Sequence, residues 1–289
     1  MDVASRPWRS VLYIPAARAR VLDKARSLPV DALIFDLEDA VAPDDKVAAR
    51  ATMAEALGSG GYGDRAALVR INATDTPWGA EDLEAAAAAN PDAILIPKVD
   101  TPEDVALVAR RLDALGSSAA IWAMMETPAG CLNAAAVAHA PRMAGFVIGT
   151  NDLAKDIGCA TGGDRMAMMT ALQMCVLGAR AAGIRCVDGV YNAFKDQDGL
   201  RSECAQGKEL GMDGKSLIHP DQIAIANAVF TPAEDEVDLA RRQIDAYEAA
   251  LAAGQGVAVL DGKIVENLHV ASARALLARV EAIAARKDT

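Results

Sequence analysis

The sequence is short of the residues that several classes of protein require. Aromatic residues make up only 4% of the 289 residues, and 29 lysines and arginines face 40 aspartates and glutamates, for a formal net charge of −11. Because nucleic acid phosphates attract a dense basic surface, this balance argues against a nucleic-acid-binding protein. No uncharged stretch approaches the length of a bilayer span, and the N-terminus MDVASRPWRS lacks an apolar signal segment, so we expect neither membrane insertion nor secretion.

Cysteine and histidine motifs are also missing. The five cysteines are odd in number and include no C-x-x-C pair, so neither a disulfide framework nor a zinc ribbon is indicated, and we expect a reducing cytoplasm. The three histidines do not cluster along the chain, which disfavours a His-rich zinc site. These residues are Cys131, Cys159, Cys175, Cys186 and Cys204, and His139, His219 and His269.

Aliphatic side chains in short runs are abundant. Hydrophobic residues make up 52% of the chain, a composition typical of helices packed on a parallel sheet. Eight such runs alternate with amphipathic or Ala-rich segments, which predicts an α/β fold of the (β/α)8 barrel type. The predicted strands are Val11–Ile14, Ala32–Leu37, Ala67–Ile71, Ala93–Ile96, Ala120–Met125, Gly145–Ile148, Arg185–Val187 and Gly214–Ile218. A doubly wound sheet is the alternative, but the segment IPAARAR after the first run lacks the expected glycine-rich loop.

The barrel is predicted to occupy residues 1–230, and residues 231–289 are predicted to form a C-terminal helical extension. In that extension Thr231–Ala253 has the pattern of a charged amphipathic helix, Gly254–Gly262 that of a turn and hairpin, and Leu268–Arg286 that of a second helix. The helices predicted within the barrel include Ala17–Leu28, Asp44–Leu57, Pro102–Leu115, Arg165–Ala182 and Leu200–Leu210.

Charged residues stand at the carboxyl ends of the predicted strands. The stretch ALIFDLEDAVAPDDK places three carboxylates directly after an apolar run. Side chains at this end of a barrel converge on one mouth, where barrel enzymes build their active sites. A single charge here is more often a helix cap or a rim ion pair, but the pattern repeats around the whole barrel. The residues are Arg18, Asp36, Glu38, Arg70, Lys98, Glu126, Asp152, Asp188 and His219.

Glu126 and Asp152 are the candidate metal ligands. They end successive strands, in METPAG and GTNDLA, and two carboxylates with open positions for water and substrate oxygens suit Mg²⁺. The alternative is that both merely cap the helices that follow. Arg70 in LVRIN could grip a substrate carboxylate with its fork of donors, or pair with Asp36 or Glu38, or do both. His219 is as plausibly a hydrogen bonder that fixes its loop as a substrate contact.

These segments resemble the citrate lyase β-subunit-like family of CoA-ester lyases, which includes malyl-CoA and citramalyl-CoA lyases. The resemblance extends over nearly the whole chain, in the family's order. The matching segments are RSVLYIPAARARVLDKA, DALIFDLEDAVAPDDKVAAR, LVRIN, ILIPKVD, METPAG, GTNDLA and GKSLIHPDQI.

The resemblance implies a Mg²⁺-dependent barrel enzyme. Glu126 and Asp152 would hold the metal, and Arg70 with Glu126 would orient a small 2-oxo acid or its adduct. Tyr13, Arg18 and Lys24 would contact the CoA portion of the substrate. Two further residues, Asp36 at the mouth and His219 in SLIHPDQ, complete the candidate catalytic and substrate-binding residues.

Family members tend to form trimers or hexamers in which the C-terminal segment covers a neighbour's active site and contributes an acidic residue. In this chain the segment reads GKIVENLH, and Glu266 stands where relatives are expected to have an aspartate. We expect Glu266 to be the catalytic acid, although an ordinary exposed glutamate is the alternative.

The expected reaction is the reversible cleavage of malyl-CoA or citramalyl-CoA to acetyl-CoA and glyoxylate or pyruvate. In related aldolases that act on free acids, the sequence after the second strand resembles D-x-E-H. This chain has Asp36-x-Glu38-Asp39 at that place, which favours the CoA-ester branch. Two alternatives stay open. One is a thioesterase that hydrolyses malyl-CoA to malate and CoA at the same site, and the other is a citrate lyase β-subunit acting on an acyl-carrier-protein-bound substrate. The sequence does not distinguish lyase from thioesterase, nor trimer from hexamer.

Overall fold

The computed structural model describes residues 6–161 and 163–286. These residues divide into two compact units, one of residues 8–230 and one of residues 231–286 together with Arg6 and Pro7. Eight parallel strands close into a barrel in the order β1 to β8, each hydrogen-bonded to the next and β8 to β1. The predicted (β/α)8 barrel is therefore confirmed. Among the described residues, no helix combines the length and the apolar character needed to cross a bilayer.

The barrel strands are β1 Ser10–Pro15, β2 Ala32–Asp36, β3 Ala66–Arg70, β4 Ala93–Ile96, β5 Ala120–Met125, β6 Met143–Ile148, β7 Arg185–Asp188 and β8 Gly214–Leu217. The helices of this unit are α1 Ala19–Ala25, α2 Lys46–Ser59, α3 Gly79–Ala88, α4 Pro102–Ala114, α5 Pro128–Leu132, α6 Ala134–Ala138, α7 Thr150–Ile157, α8 Met169–Ala182, α9 Gln197–Glu209 and α10 Ile223–Phe230. The second unit contains α11 Glu234–Ala252, β9 Ala258–Leu260, β10 Lys263–Val265 and α12 Asn267–Ala284.

Strand periodicity decides which side chains enter the barrel. Alternate strand residues point to opposite faces, so the inner face takes every second residue and the outer face packs on the helices. Ile34, Leu68 and Trp122 belong to the inner cluster, which Trp8 closes with its ring centroid 4.3 Å from that of Trp122. Gly145 leaves room for this packing, since a Cβ there would lie 2.6 Å from the Trp122 ring.

The same alternation carries polar residues to the inner face above this apolar layer. Counting in twos from the inner residues of each strand reaches Tyr13 on β1, Asp36 on β2, Arg70 on β3 and Glu126 after β5. Asp188 on β7 has the opposite parity and faces the helices, which corrects the expectation that its charge would join the others at the mouth. The inner side chains form the wall of one polar mouth.

Several element ends differ from the sequence-based expectation for local physical reasons. Strand β2 stops at Asp36 because its carboxylate accepts the backbone N–H groups of Glu38 (2.9 Å) and Ala40 (3.1 Å), which bends the chain away. The helix predicted to begin at Arg165 starts instead with a 3₁₀ turn at 166–168, because Arg165 has a left-handed backbone (φ 53°). Helix α1 is also shorter than the predicted Ala17–Leu28.

The second unit is built from two helices and an antiparallel hairpin. Strands β9 and β10 pair with Val259 opposite Ile264, and these two side chains are 70% and 60% exposed. The opposite face of the hairpin contributes Ala258 and Val265 to a small core with α11 and α12. The hairpin lies later than predicted, because its turn is formed by residues 261 and 262.

A buried cluster of four charges ties β7 and β8 to the helices outside them. Asp188 accepts hydrogen bonds from Arg165 Nη1 (2.7 Å) and Lys215 Nζ (2.9 Å), and Lys215 also donates to Glu203 (2.6 Å) and to the Gly189 carbonyl (2.6 Å). Both Asp188 and Lys215 are fully buried. The cluster balances two positive and two negative charges, so it is stable only while complete.

Replacing Lys215→Met should lower the free energy of unfolding by about 3–5 kcal/mol, because it leaves two buried carboxylates with only the charge of Arg165 to balance them. The measurement is equilibrium unfolding in urea. Asp23→Asn is the matched control, since it breaks the exposed Arg26–Asp23 ion pair (2.7 Å) and should cost under about 1 kcal/mol. Equal losses in the two variants would contradict the assigned role of the cluster.

Candidate functional site

A cavity of about 290 Å³ opens at the carboxyl end of the barrel strands. This is the end at which barrel enzymes bind their substrates. The residues that line it are Tyr13, Asp36, Asp39, Ala40, Arg70, Met124, Glu126, Ile148, Gly149, Asn151, Asp152, Val190, Asn192 and Ile218. Four of these are carboxylates, so the cavity is strongly acidic unless a cation enters it.

Arg70 is held rigidly in the wall of the cavity by acidic neighbours. Its Nε and Nη2 donate to the two carboxylate oxygens of Asp36 at 2.7 and 2.6 Å, a bidentate pair buried on both sides. Its Nη1 lies 2.7 Å from Glu38 Oε2 and 3.4 Å from Asp39 Oδ2. The expected pairing of Arg70 with Asp36 and Glu38 is thus present, and Asp36 serves to fix the guanidinium.

Glu126 is placed by its own strand and by two neighbouring loops. Its Oε1 accepts the backbone N–H of Lys98 (2.8 Å), a residue with left-handed backbone (φ 50°). Its Oε2 lies directly over Gly149, where a Cβ would come within 2.4 Å. No donor among the described residues bonds to Oε2. Thr127 caps helix α5 instead, accepting from the Gly130 N–H (3.0 Å), so Glu126 is not the helix cap that sequence reasoning had left open.

Asp152 reaches the same cavity from the first turn of α7. Its carboxylate is partly exposed, and Lys98 Nζ stands 3.9 Å from Oδ1. The first backbone N–H groups of a helix lack intrahelical acceptors, and their partial positive charge favours an anion close by. The start of α7 at this cavity therefore offers donors to a negatively charged ligand as well as a carboxylate.

The donor set of this cavity fits a hard divalent cation better than a transition metal. Within residues 6–161 and 163–286 there is no group of three or more His, Cys, Asp or Glu side chains arranged to hold a metal. Two carboxylates, Glu126 and Asp152, line one cavity, and an oxygen of Glu126 is left without a protein donor. That is the arrangement in which Mg²⁺ keeps several positions for water and substrate oxygens.

Burial and repulsion from neighbouring carboxylates raise the pKa values of two glutamates. Burial raises the pKa of Glu126 to about 7, with the Asp152 charge adding to the effect and the Lys98 N–H and Arg70 opposing it. Burial likewise raises the pKa of Glu38 to about 7, against the lowering effect of Arg70. Both values describe the protein without a cation, whose arrival would favour the ionised form.

The remaining sequence-predicted residues do not all line this cavity. Tyr13 lines the cavity, whereas Arg18 is exposed at the start of α1 and borders a different cavity of about 260 Å³. Lys24 is exposed in the last turn of α1 and lines neither cavity. Glu266 is exposed at the start of α12, in the second unit, and its backbone N–H donates to His269 Nδ1 (3.0 Å).

His219 lies beside the cavity and fixes its own loop. Its Nδ1 accepts the backbone N–H of Asp221 (3.2 Å), and its ring stacks on Phe194 with centroids 4.6 Å apart. Its backbone N–H donates to Gln222 Oε1 (3.1 Å), whose amide in turn donates to the Tyr191 carbonyl (2.9 Å). The loop-fixing role that the sequence left open is present.

Two asparagines at the cavity escaped the sequence analysis. Asn192 Nδ2 donates to Asn151 Oδ1 (2.7 Å), and Asn151 Nδ2 donates back to Asn192 Oδ1 (3.3 Å), which joins the first turn of α7 to the loop after β7. Asn151 could have been noticed in GTNDLA, next to the predicted ligand Asp152, but Asn192 has no signal in the sequence. Gly149 was likewise unnoticed, although a glycine between a buried strand and a helix often marks a close approach.

Comparison with known proteins gives a consistent set of relatives. The family model for HpcH/HpaI aldolase/citrate lyase matches residues 9–220. The chain is 57% identical over 281 residues to a (3S)-malyl-CoA thioesterase of Cereibacter sphaeroides (97% of each chain), and 36% identical over 292 residues to the citrate lyase subunit beta of Escherichia coli (98% and 97%). A crystal structure of CitE from Mycobacterium tuberculosis with magnesium, acetoacetate and coenzyme A superposes with a TM-score of 0.79 at 27% identity, covering 96% of this chain and 99% of that one.

Glu126→Gln should stabilise the cation-free protein in a pH-dependent way. A carboxyl whose pKa rises from 4.5 to about 7 on folding loses stability as pH rises through that window, because the folded state keeps a proton that the unfolded state releases. The neutral amide avoids this cost. Unfolding in urea with a chelator should therefore show a gain of up to about 3 kcal/mol at pH 8 and under about 1 kcal/mol at pH 5.

The exposed Glu55 on α2 provides the control for this measurement. Glu55→Gln should change stability equally at both pH values, because its carboxylate stays in water. A Glu126→Gln variant that is less stable than the parent at pH 8 would contradict the argument that burial of this charge is costly.

Proposed function

Since the chain belongs to the HpcH/HpaI aldolase/citrate lyase family and is an enzyme of the citrate lyase β-like type, we propose that it hydrolyses (3S)-malyl-CoA to malate and free CoA. The 57% identity to a thioesterase of that specificity, over 97% of both chains, carries this proposal. Carbon–carbon cleavage, which the sequence alone ranked first, becomes the second candidate because the citrate lyase relative is more distant, at 36% identity.

Binding of the substrate uses groups that are already in place. Glu126 and Asp152 would hold Mg²⁺, which is present in the CitE structure. The ion would bind the carboxylate and hydroxyl oxygens of the malyl group and neutralise part of the cavity's negative charge. Arg70, fixed by Asp36, places its positive charge beside the same carboxylate. The N-terminus of α7 adds backbone donors on the opposite wall.

Hydrolysis requires a base for water and a proton for the leaving thiolate. Water adds to the thioester carbonyl carbon, the C–S bond breaks, and the CoA sulfur takes up a proton. Asp36 and Asp39 both contact Arg70, and Glu126 and Asp152 would hold the cation. We assign the proton transfer to Glu266 of a neighbouring subunit, which would accept a proton from the water and return it to sulfur.

The lyase alternative uses the same parts with a different proton destination. In that reaction the bond between the carbinol carbon and the α-carbon breaks, and the acid protonates the departing acetyl-CoA enolate. Glu266 is one methylene longer than the aspartate expected in relatives, so its carboxyl can reach a different atom. This difference in reach is a physical reason for one site to favour water over the enolate.

Assembly into a trimer or hexamer is part of the proposal, because Glu266 must reach another subunit's cavity. The hairpin of β9 and β10 presents Val259 and Ile264 to solvent as an exposed apolar pair. Such a pair suits contact with a second copy of the chain. The proposed substrates are the CoA ester and, for the reverse lyase reaction, acetyl-CoA with a small 2-oxo acid.

The products formed from (3S)-malyl-CoA test the function. The purified chain with Mg²⁺ should release free thiol and malate in equal amounts and no glyoxylate, measured with a thiol reagent and a carbonyl trap in parallel. A chelator should abolish the reaction and added Mg²⁺ should restore it. Asp152→Asn should lower turnover at limiting Mg²⁺ at least 10-fold.

Two results would contradict hydrolysis as the main activity. Glyoxylate and acetyl-CoA in equal amounts would identify the lyase, and no turnover of any CoA ester would favour a citrate lyase β-subunit that requires an acyl carrier protein. Both are read from the same assay. The control is the exposed variant Glu55→Gln, which should match the parent.

Mixing two inactive variants tests the transfer of Glu266 between subunits. Glu266→Ala should lower the turnover number at least about 100-fold with little change in KM, the effect expected for a lost proton-transfer group. Glu126→Gln should be inactive because the cavity of its own subunit lacks a proposed metal ligand. If the acid acts on a neighbour, unfolding and refolding the two together should recover activity, because mixed assemblies contain some intact sites. No recovery, or full turnover of Glu266→Ala alone, would place the acid elsewhere.

A further inference from the structure

Tyr13 lines the cavity at the carboxyl end of the barrel strands. It lies on the inner face of β1, and its ring packs against the guanidinium of Arg70 at 4.9 Å from the ring centroid. Arg70, Glu126 and Asp36 surround it, and these are the groups that bind the acyl part in the proposed function. The resemblance to CoA-ester lyases had suggested that Tyr13 contacts the CoA portion instead.

The hydroxyl of Tyr13 has only a weak partner in the protein. It donates to the thioether sulfur of Met124 at 3.2 Å, and thioethers are poor acceptors. Two other tyrosines have oxygen acceptors: Tyr62 donates to the Leu22 carbonyl (3.2 Å), and Tyr191 donates to Asp196 (2.7 Å). Tyrosine hydroxyls that are shielded from water usually find an oxygen acceptor, whereas the half-buried Tyr13 has only a thioether at the cavity wall.

The electrostatic surroundings of Tyr13 keep its hydroxyl protonated, so that it can act as a hydrogen-bond donor in the cavity. Burial and the neighbouring carboxylates raise the pKa of Tyr13 well above its usual range, with Arg70 opposing them. The cavity is otherwise poor in free side-chain donors, because Arg70 is bound to Asp36 and contacts Glu38, and the two asparagines bond each other. An anionic acyl group entering here meets few donors that are not already committed.

We propose that Tyr13 donates its phenolic hydrogen to an oxygen of the substrate's acyl group, exchanging the Met124 sulfur for a charged or carbonyl oxygen. This role rests on the proposed function, since it takes the ligand to be a small hydroxy acid attached to CoA. It makes Tyr13 a substrate-contacting residue that distinguishes the acid end from the CoA end.

Two identical substitutions at different tyrosines test the proposal. Tyr13→Phe keeps the ring on Arg70 and removes only the hydroxyl, and it should raise the inhibition constant of malate and lower kcat/KM for malyl-CoA by about 10- to 100-fold. The inhibition constant of free CoA and the urea midpoint should stay unchanged. Tyr62→Phe is the matched control, because Tyr62 also carries a guanidinium over its ring, that of Arg26 at 5.3 Å. It should lower the urea midpoint and leave both inhibition constants unaltered.

Three outcomes would overturn the proposal. Weaker CoA inhibition with unchanged malate inhibition would move Tyr13 to the CoA portion. A loss of stability like that of Tyr62→Phe, with unchanged kinetics, would make the hydroxyl structural. Absence of malate binding to the parent protein, measured by calorimetry with Mg²⁺, would remove the ligand. If the parent binds malate but turns over no CoA ester, the proposed function fails, while malate affinity in Tyr13→Phe still decides the role of the tyrosine.

Discussion

Asp36 and Arg70 meet at the ends of β2 and β3, where both side chains are buried. Both carboxylate oxygens receive a guanidinium hydrogen, and each receives one backbone N–H as well. The pair is therefore fully hydrogen-bonded, which is the condition under which a buried ion pair is tolerated. It sets the end of β2, the direction of the following loop and the position of Arg70. The same guanidinium also contacts Glu38 and Asp39.

The mouth carries more negative charge than the protein itself neutralises. Arg70 is shared among Asp36, Glu38 and Asp39, and Lys98 approaches Asp152 only at 3.9 Å. Burial is the main reason that the pKa values of Glu38 and Glu126 are raised, and the neighbouring carboxylates add to the effect. Perturbed groups of this kind mark functional sites, where stability is given up for reactivity. A divalent cation would remove the imbalance at Glu126.

The sequence predicted the barrel because both faces of its strands are buried, which leaves an unmistakable run of aliphatic residues before each helix. It also placed Arg70, Glu126 and Asp152 at one mouth, since strand ends converge in any closed parallel barrel. It could not assign Asp188 to the outer face, because the short apolar run of β7 does not show which alternate residues face the barrel interior. Nor could it foresee that Arg165, in an irregular loop, would pair with Asp188 and delay the start of α8.

The position of Tyr13 relative to its neighbours in the motif was also not predictable from the sequence. The resemblance in RSVLYIPAARARVLDKA suggested that Tyr13 shares a role in binding CoA with Arg18 and Lys24, but Tyr13 lies on a strand and the two basic residues lie at the following helix. Counting in twos along β1 directs Tyr13 inward, while Arg18 and Lys24 follow the helix outward. If Tyr13 contacts the acyl group as proposed, neighbours in one motif would contact different ends of one substrate. A motif resemblance shows which residues recur together. It does not show which wall of the cavity each residue forms.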